Sequence, residues 1–309
     1  MSYGYDVQGY RPADPHSGPS LRLIAAVVIA VIGLIVYATR TEVNPVTGRR
    51  QHIALSVDQE KALGLEAAPE MAAKMGGALD PGSDPRAAKV SAIGRRIVER
   101  SDANRSPYVG NYHFVLLNDP ETINAFALPG GQVFITKALY DQLGDEAELA
   151  GVLGHEIGHV VNRHSAEHMA QGQLGQILTL AFGVGAGGDD QGRRASAIAA
   201  MVNQLTQLKF SRSDESEADS FGLKYMAEAG FDPSAMLDVM EILKMASKGG
   251  RQPEILATHP QPESRLDEIR ATLKRDYPDG IPSSLSRGGP LNRGRSSESY
   301  GKNFRRGEE

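Results

Sequence analysis

Residues 151–165 read GVLGHEIGHVVNRHS, so three of the chain's eight histidines fall within ten positions. His155 and His159 stand four apart with Glu156 beside the first. In an α-helix, positions i and i+4 share a face with their Cβ atoms about 6 Å apart. Both imidazoles can then be directed at one divalent ion. Three protein ligands leave a coordination position for water. The ion brings that water's pKa down toward about 7, and a neighbouring carboxylate takes its proton as it attacks a carbonyl. This chemistry makes His155 and His159 metal ligands and Glu156 the general base. The plainer alternative is a surface histidine pair.

A third ligand must be His, Asp or Glu, because the chain has no cysteine. An HExxHxxGxxH pattern would place it at position 165, which is Ser165. His164 is five residues beyond His159, about 140° further round a continuous helix. His168 is more than two turns on. Both are expected in surface or supporting roles. Downstream, FSRSDESEADSFG (210–222) offers Glu215 and Asp219, again four apart. One carboxylate can bind the ion while the other accepts the free N–H of a ligand histidine, which fixes its tautomer and raises its basicity. Glu217 competes with Glu215, but its own i+4 neighbour is Phe221, which orients nothing. The stretch could otherwise be a charged, solvated helix face.

These residues need elements to position them. Asp145 followed by Glu148 reads as a capping box opening a helix, with Leu149, Val152, Leu153, Ile157, Val160 and Val161 as its buried stripe. Ser56 and Gln59 open an earlier helix in the same way. AAKVSAIGRRIVERS is amphipathic, with Val90, Ile93 and Ile97 at helical spacing. YHFVLL (112–117) and QVFIT (132–136) are strand-like, separated by turn signals at Asp119-Pro120 and Pro129-Gly130-Gly131. Further helices are expected from Ser213 or Asp214 to Gly230, after Pro233 to Gly249, and over PESRLDEIRATLKRD. The Gly-rich apolar run 173–187 is too short to span a bilayer. It reads as a core helix or hairpin, with a membrane-dipping lid as the alternative.

The fold class is therefore α+β and mainly helical, with a small β-sheet beside the HExxH helix. Residues 1–20 are read as a disordered segment rich in Gly, Pro and Tyr. Residues 21–38, LRLIAAVVIAVIGLIVYA, form a single transmembrane anchor near the minimum spanning length. A cleaved signal peptide is the rival, but VYATRTE supplies no A-x-A site. Residues 39–55 read as a linker, 56–276 as the metal-binding domain and 277–309 as a disordered tail. A formal charge of -5 gives no reason to expect nucleic acid. Arginines on both sides of the anchor leave its orientation unspecified.

Taken together, HEIGHVVNRHS, FSRSDESEADSFG, NAFALPGGQVFITKAL and ATHPQPESRLDEI resemble the metallopeptidase family of the CAAX prenyl protease. That family includes HtpX and the BepA-type and Oma-type quality-control proteases, and the similarity covers roughly residues 85–275. The resemblance implies a zincin-like domain of the gluzincin type with one Zn²⁺ per chain. Its ligands would be His155, His159 and Glu215, its base Glu156, and Asp219 the partner of a ligand histidine. It also implies that Asn124 and Ala125 lie on an edge strand which an extended peptide could join; a hairpin buried in the core is the alternative. His259 in ATHPQP would restrain the site or stabilise an oxyanion, unless it is a plain loop histidine. Arg265 would pack or pair nearby.

Prenyl-processing relatives are polytopic, whereas a single anchor here points to endoproteolysis of unfolded or misfolded polypeptides. The expected setting is the extracytoplasmic (periplasmic) side of a membrane. A protein that holds zinc for binding or chaperone-like work is the non-catalytic rival. An aminopeptidase would need an acidic anchor for the substrate's amino terminus, and no GxMEN-like stretch supplies one.

Overall fold

The computed structural model describes residues 41–53, 55–170, 172, 208–248, 253–260 and 263–291, with positions 28, 31, 35, 38 and 39. Segment 1–20, most of the predicted anchor 21–38, the apolar run 173–187 and positions 292–309 lie outside the described residues. Among the described residues, no helix is long and apolar enough to cross a membrane.

A short antiparallel hairpin, β1 (Thr41–Val43) and β2 (Arg50–His52), precedes helices α1 (Val57–Lys74) and α2 (Pro85–Arg100). Strands β3 (His113–Leu117), β4 (Ala125–Leu128) and β5 (Gln132–Thr136) form a sheet of order β3-β5-β4. β3 runs parallel to β5 and β4 antiparallel to it, which leaves β4 at an edge. Helices α3 (Lys137–Tyr140), α4 (Glu146–Val161), α5 (Arg212–Glu228), α6 (Ala235–Lys248), α7 (Ile255–Thr258) and α8 (Glu263–Asp276) complete the domain.

Helix α4 is central. It packs on α5, α2, α6 and β4, and every residue from Ala147 to Val161 is buried. Its small residues decide how close its partner comes. Gly154 faces Gly222, and Gly158 faces Ala218 so tightly that a Cβ at 158 would lie 2.9 Å from the Ala218 carbonyl oxygen. The α4 and α5 backbones therefore touch without side-chain spacers, and the i,i+4 pairs on the two helices confront each other.

The caps follow the sequence with one change. Ser56 and Gln59 form the expected capping box, and Asp145 accepts from Glu148 N. The Glu148 carboxylate, however, reaches the N–H of Gly144 instead of closing a box. Helix α5 starts at Arg212, slightly earlier than expected, because Ser211 and Asp214 cap it reciprocally.

Two segments expected as linker and tail differ from that reading, and both grip α4. In the 39–55 stretch, Asn44 Nδ2 donates to the Val161 carbonyl (2.7 Å) and Gln51 Nε2 to the Asn162 carbonyl (2.5 Å). The last carbonyls of a helix lack partners within it, and these buried amides supply them. At the other end, within 277–291, the Gly289 and Arg287 carbonyls accept from Glu146 N and Ala147 N. Arg287 also pairs with Asp145 and Glu148, at 2.8 and 2.9 Å. Polar composition suggested a linker in the first place and disorder in the second, yet those polar groups have buried helix ends to satisfy.

Candidate metal centre

Four side chains converge below the surface where α4 crosses α5. His155, His159, Glu215 and His259 each offer one ligand atom, and these atoms all lie within 4.8 Å of one another. His155 Nε2 and His159 Nε2 are 3.0 Å apart. Glu215 Oε1 lies 3.4 Å from His159 Nε2, and Oε2 lies 3.6 Å from His155 Nε2. His259, just past the end of α7, brings its Nδ1 to 2.9 Å from Glu215 Oε1.

The opposite nitrogen of His155, Nδ1, meets Asp219 Oδ1 at 2.9 Å. Arg265 on α8 forks onto both Asp219 oxygens at 2.7 Å and pairs with Glu215 Oε2 at 2.5 Å. Glu217 stands apart from the donor atoms, bonded to His164 Nε2 (3.2 Å) and paired with Arg49. His168 bonds Asp214 (2.9 Å). Asn124 and Ala125 sit at the start of edge strand β4, both buried.

Burial depresses the His159 imidazole well below its ordinary pKa, which keeps it neutral. Burial alone would raise the Glu215 carboxyl, but the facing imidazoles of His259, His159 and His155 hold it well below the usual range. Asp219 is likewise held down against burial, by its bond from His155 and its pair with Arg265. The donor set thus combines imidazole nitrogens and a carboxylate, the chemistry a divalent ion of zinc's kind accepts. Beside it lies Glu156, 1% exposed, with no hydrogen-bond partner among the described residues on either carboxylate oxygen. His259 Nε2 stands 3.8 Å from its Oε1, and burial pushes its carboxyl upward. A buried polar group without a partner is costly, so an orphaned carboxylate at a cluster of metal-ligating atoms marks a working group. The residues fit a metal.

A His-Glu-His helix set against a second helix, with a small sheet alongside, defines a metallopeptidase-type domain. The chain belongs to peptidase family M48, whose sequence profile matches residues 84–273. It is 32% identical to the beta-barrel assembly-enhancing protease of Escherichia coli over 85% of this chain and 53% of that protein. It is also 32% identical to the mitochondrial metalloendopeptidase OMA1 of Schizosaccharomyces pombe, over 80% of this chain and 72% of the relative. The Saccharomyces cerevisiae OMA1 is 29% identical over 77% of this chain. The chain spans about half the length of the Escherichia coli relative.

Residue spacing offered no fourth donor and only the resemblance pointed to His259 near the site; the structure places it among the first three. The signal was faint, a histidine in a loop more than forty residues from Glu215 with no helical spacing to tie them. Of the two roles expected for His164, surface or supporting, the structure excludes the first, since His164 is fully buried against His159.

Proposed function

We propose that the chain is a zinc-dependent metalloendopeptidase in which His155, His159 and Glu215 hold the ion and Glu156 is the general base. The orphaned Glu156 carboxylate carries this reading. When bound, zinc supplies the Lewis acidity that makes water a nucleophile at neutral pH. Glu156 takes the proton of the attacking water and returns it to the leaving amine. Asp219, clamped by Arg265, keeps the Nδ1 proton on His155 and so leaves Nε2 free to bind. A closed set of four ligands is usual for structural zinc, and His259 would complete one. That favours a non-catalytic zinc-holding protein, but such a site has no use for Glu156.

Substrate would enter along β4. Its outer edge, which pairs with no other strand among the described residues, can take an extended peptide through backbone hydrogen bonds, beginning at Asn124 and Ala125. A cavity of about 260 Å³ beside it, lined by Met71, Met75, Phe126, Phe210, Asn124 and His259, suits a large apolar side chain of that peptide. Buried apolar residues are what unfolded proteins expose, and this supports quality control of misfolded polypeptides. Residues 21–38 would anchor the enzyme, with the catalytic domain on the periplasmic side. His259, bonded to Glu215, is read as a restraint on the site.

The test uses the full chain and a Glu156→Gln partner, both loaded with zinc and offered an unfolded protein. Chelator-sensitive cleavage by the parent is expected, with equal zinc content in the variant and a rate lower by about 10²–10⁴-fold. Equal cleavage by both proteins would remove Glu156 from the mechanism. Stoichiometric zinc without cleavage by either would favour the zinc-holding protein.

A further inference from the structure

Helix α4 ends at Val161, and Arg163 then takes φ +57, the only positive φ at a non-glycine among the described residues. The left-handed region is disfavoured for a residue with a side chain. Here Arg163 is held in it by Glu60, by Glu42 (Nη1 to Oε2, 2.6 Å) and by the Leu55 carbonyl (3.3 Å). The turn lets a new helical stretch begin at 164. His164 therefore does not continue round α4, as an unbroken helix would require, but folds back beneath His159.

The two imidazoles meet nitrogen to nitrogen, with His164 Nδ1 2.9 Å from His159 Nδ1. Such a contact needs one proton between the two atoms. His159 Nε2 faces Glu215 and His155. If Nε2 is to bind a metal it carries a lone pair, and the His159 proton is then on Nδ1. His164 Nδ1 must accept it, so the His164 proton sits on Nε2, which points at Glu217 Oε2 3.2 Å away. Glu217 in turn pairs with Arg49, in the turn of the β1–β2 hairpin.

We propose that His164, Glu217 and Arg49 form a chain of positioning residues that fixes the tautomer and orientation of His159. The inference rests on the metal reading above. Both ligand histidines are then backed by a carboxylate and an arginine. For His155 the link to Asp219 and Arg265 is direct, and for His159 it passes through one intervening imidazole. Partners of this kind change metal affinity by about 10- to 100-fold when lost.

The experiment compares the full chain with His164→Phe, Glu217→Gln and Arg49→Gln. Imidazole ¹⁵N spectra are recorded with and without zinc, and zinc affinity is measured by competition with a chromophoric chelator. In the parent, His164 is expected unprotonated at Nδ1 and protonated at Nε2. Zinc affinity is expected to fall about 10- to 100-fold in His164→Phe, and by smaller factors in Glu217→Gln and Arg49→Gln. A proton on His164 Nδ1 overturns the proposal. So does unchanged zinc affinity in Glu217→Gln and Arg49→Gln, whose partly exposed sites keep the test alive if His164→Phe does not fold. If the parent binds no zinc, the metal reading falls and takes this proposal with it, whereas a His164 Nδ1 proton in a parent that does bind zinc overturns this proposal alone.

Discussion

Positions 155 and 156 are adjacent on α4 yet meet different surroundings. His155 is bonded on both sides, to Asp219 and within the donor cluster, while the Glu156 carboxylate has no hydrogen-bond partner among the described residues. On the metal reading, the first arrangement would hold a ligand still, and the second would leave a base free to move a proton. His259 stands between these conditions, bonded to Glu215 and 3.8 Å from Glu156. As a restraint, its removal in His259→Ala should raise kcat/KM on an unfolded substrate several-fold with zinc content unchanged. A fall of about 10²-fold would instead assign it to oxyanion stabilisation. At this scale the i,i+4 rule made His155, His159, Glu215 and Asp219 legible, because it concerns one helix face at a time. Spacing alone did not reveal His259, which only the resemblance marked, or the inward turn of His164, because a loop's approach and a left-handed residue are set by tertiary partners such as Glu60.

Among the elements, the crossing of α4 and α5 sets the distance between the histidines and Glu215. Gly158→Ala would drive a Cβ against the Ala218 carbonyl, backbone that cannot rotate away. Overpacking of this kind costs about 1–3 kcal/mol. It should also displace Glu215, so zinc affinity should fall along with the urea midpoint. Helix α1 is joined to the far end of α4 by a buried ion pair, Glu60 with Arg163, which Tyr108 also contacts. Glu60→Ala would remove the buried partner of Arg163 and leave it only the half-exposed Glu42 and the Leu55 carbonyl, so a loss of up to about 3–5 kcal/mol is expected in urea unfolding. Strand β5 was readable as a run of apolar residues with matching bounds. β4 was harder, since AFAL is short and lies among turn residues, and only its pairing with β5 makes it an edge.

Over the whole molecule, the metal reading predicts linkage between ion and fold. The cluster joins α4, α5 and the residue after α7, so an ion that binds only the folded form must stabilise all of them together. At free zinc about 100 times Kd, the gain is about 2.7 kcal/mol. It should appear as a higher Tm that chelator reverses, and a Tm indifferent to zinc would argue against the centre. Domain limits were the least legible feature at this scale. Residues 41–53 and 280–291 look like connecting chain because their polar side chains follow no period. Their order comes from partners far away in sequence, the carbonyls of Val161 and Asn162 and the first N–H groups of α4. Those distant grips also bear on how the protein is made. Synthesis delivers HExxH and then Glu215 well before the segment around Arg287 that clasps the start of the same helix. A ribosome-bound intermediate thus has every candidate metal-binding atom before the first N–H groups of that helix have found their carbonyl partners.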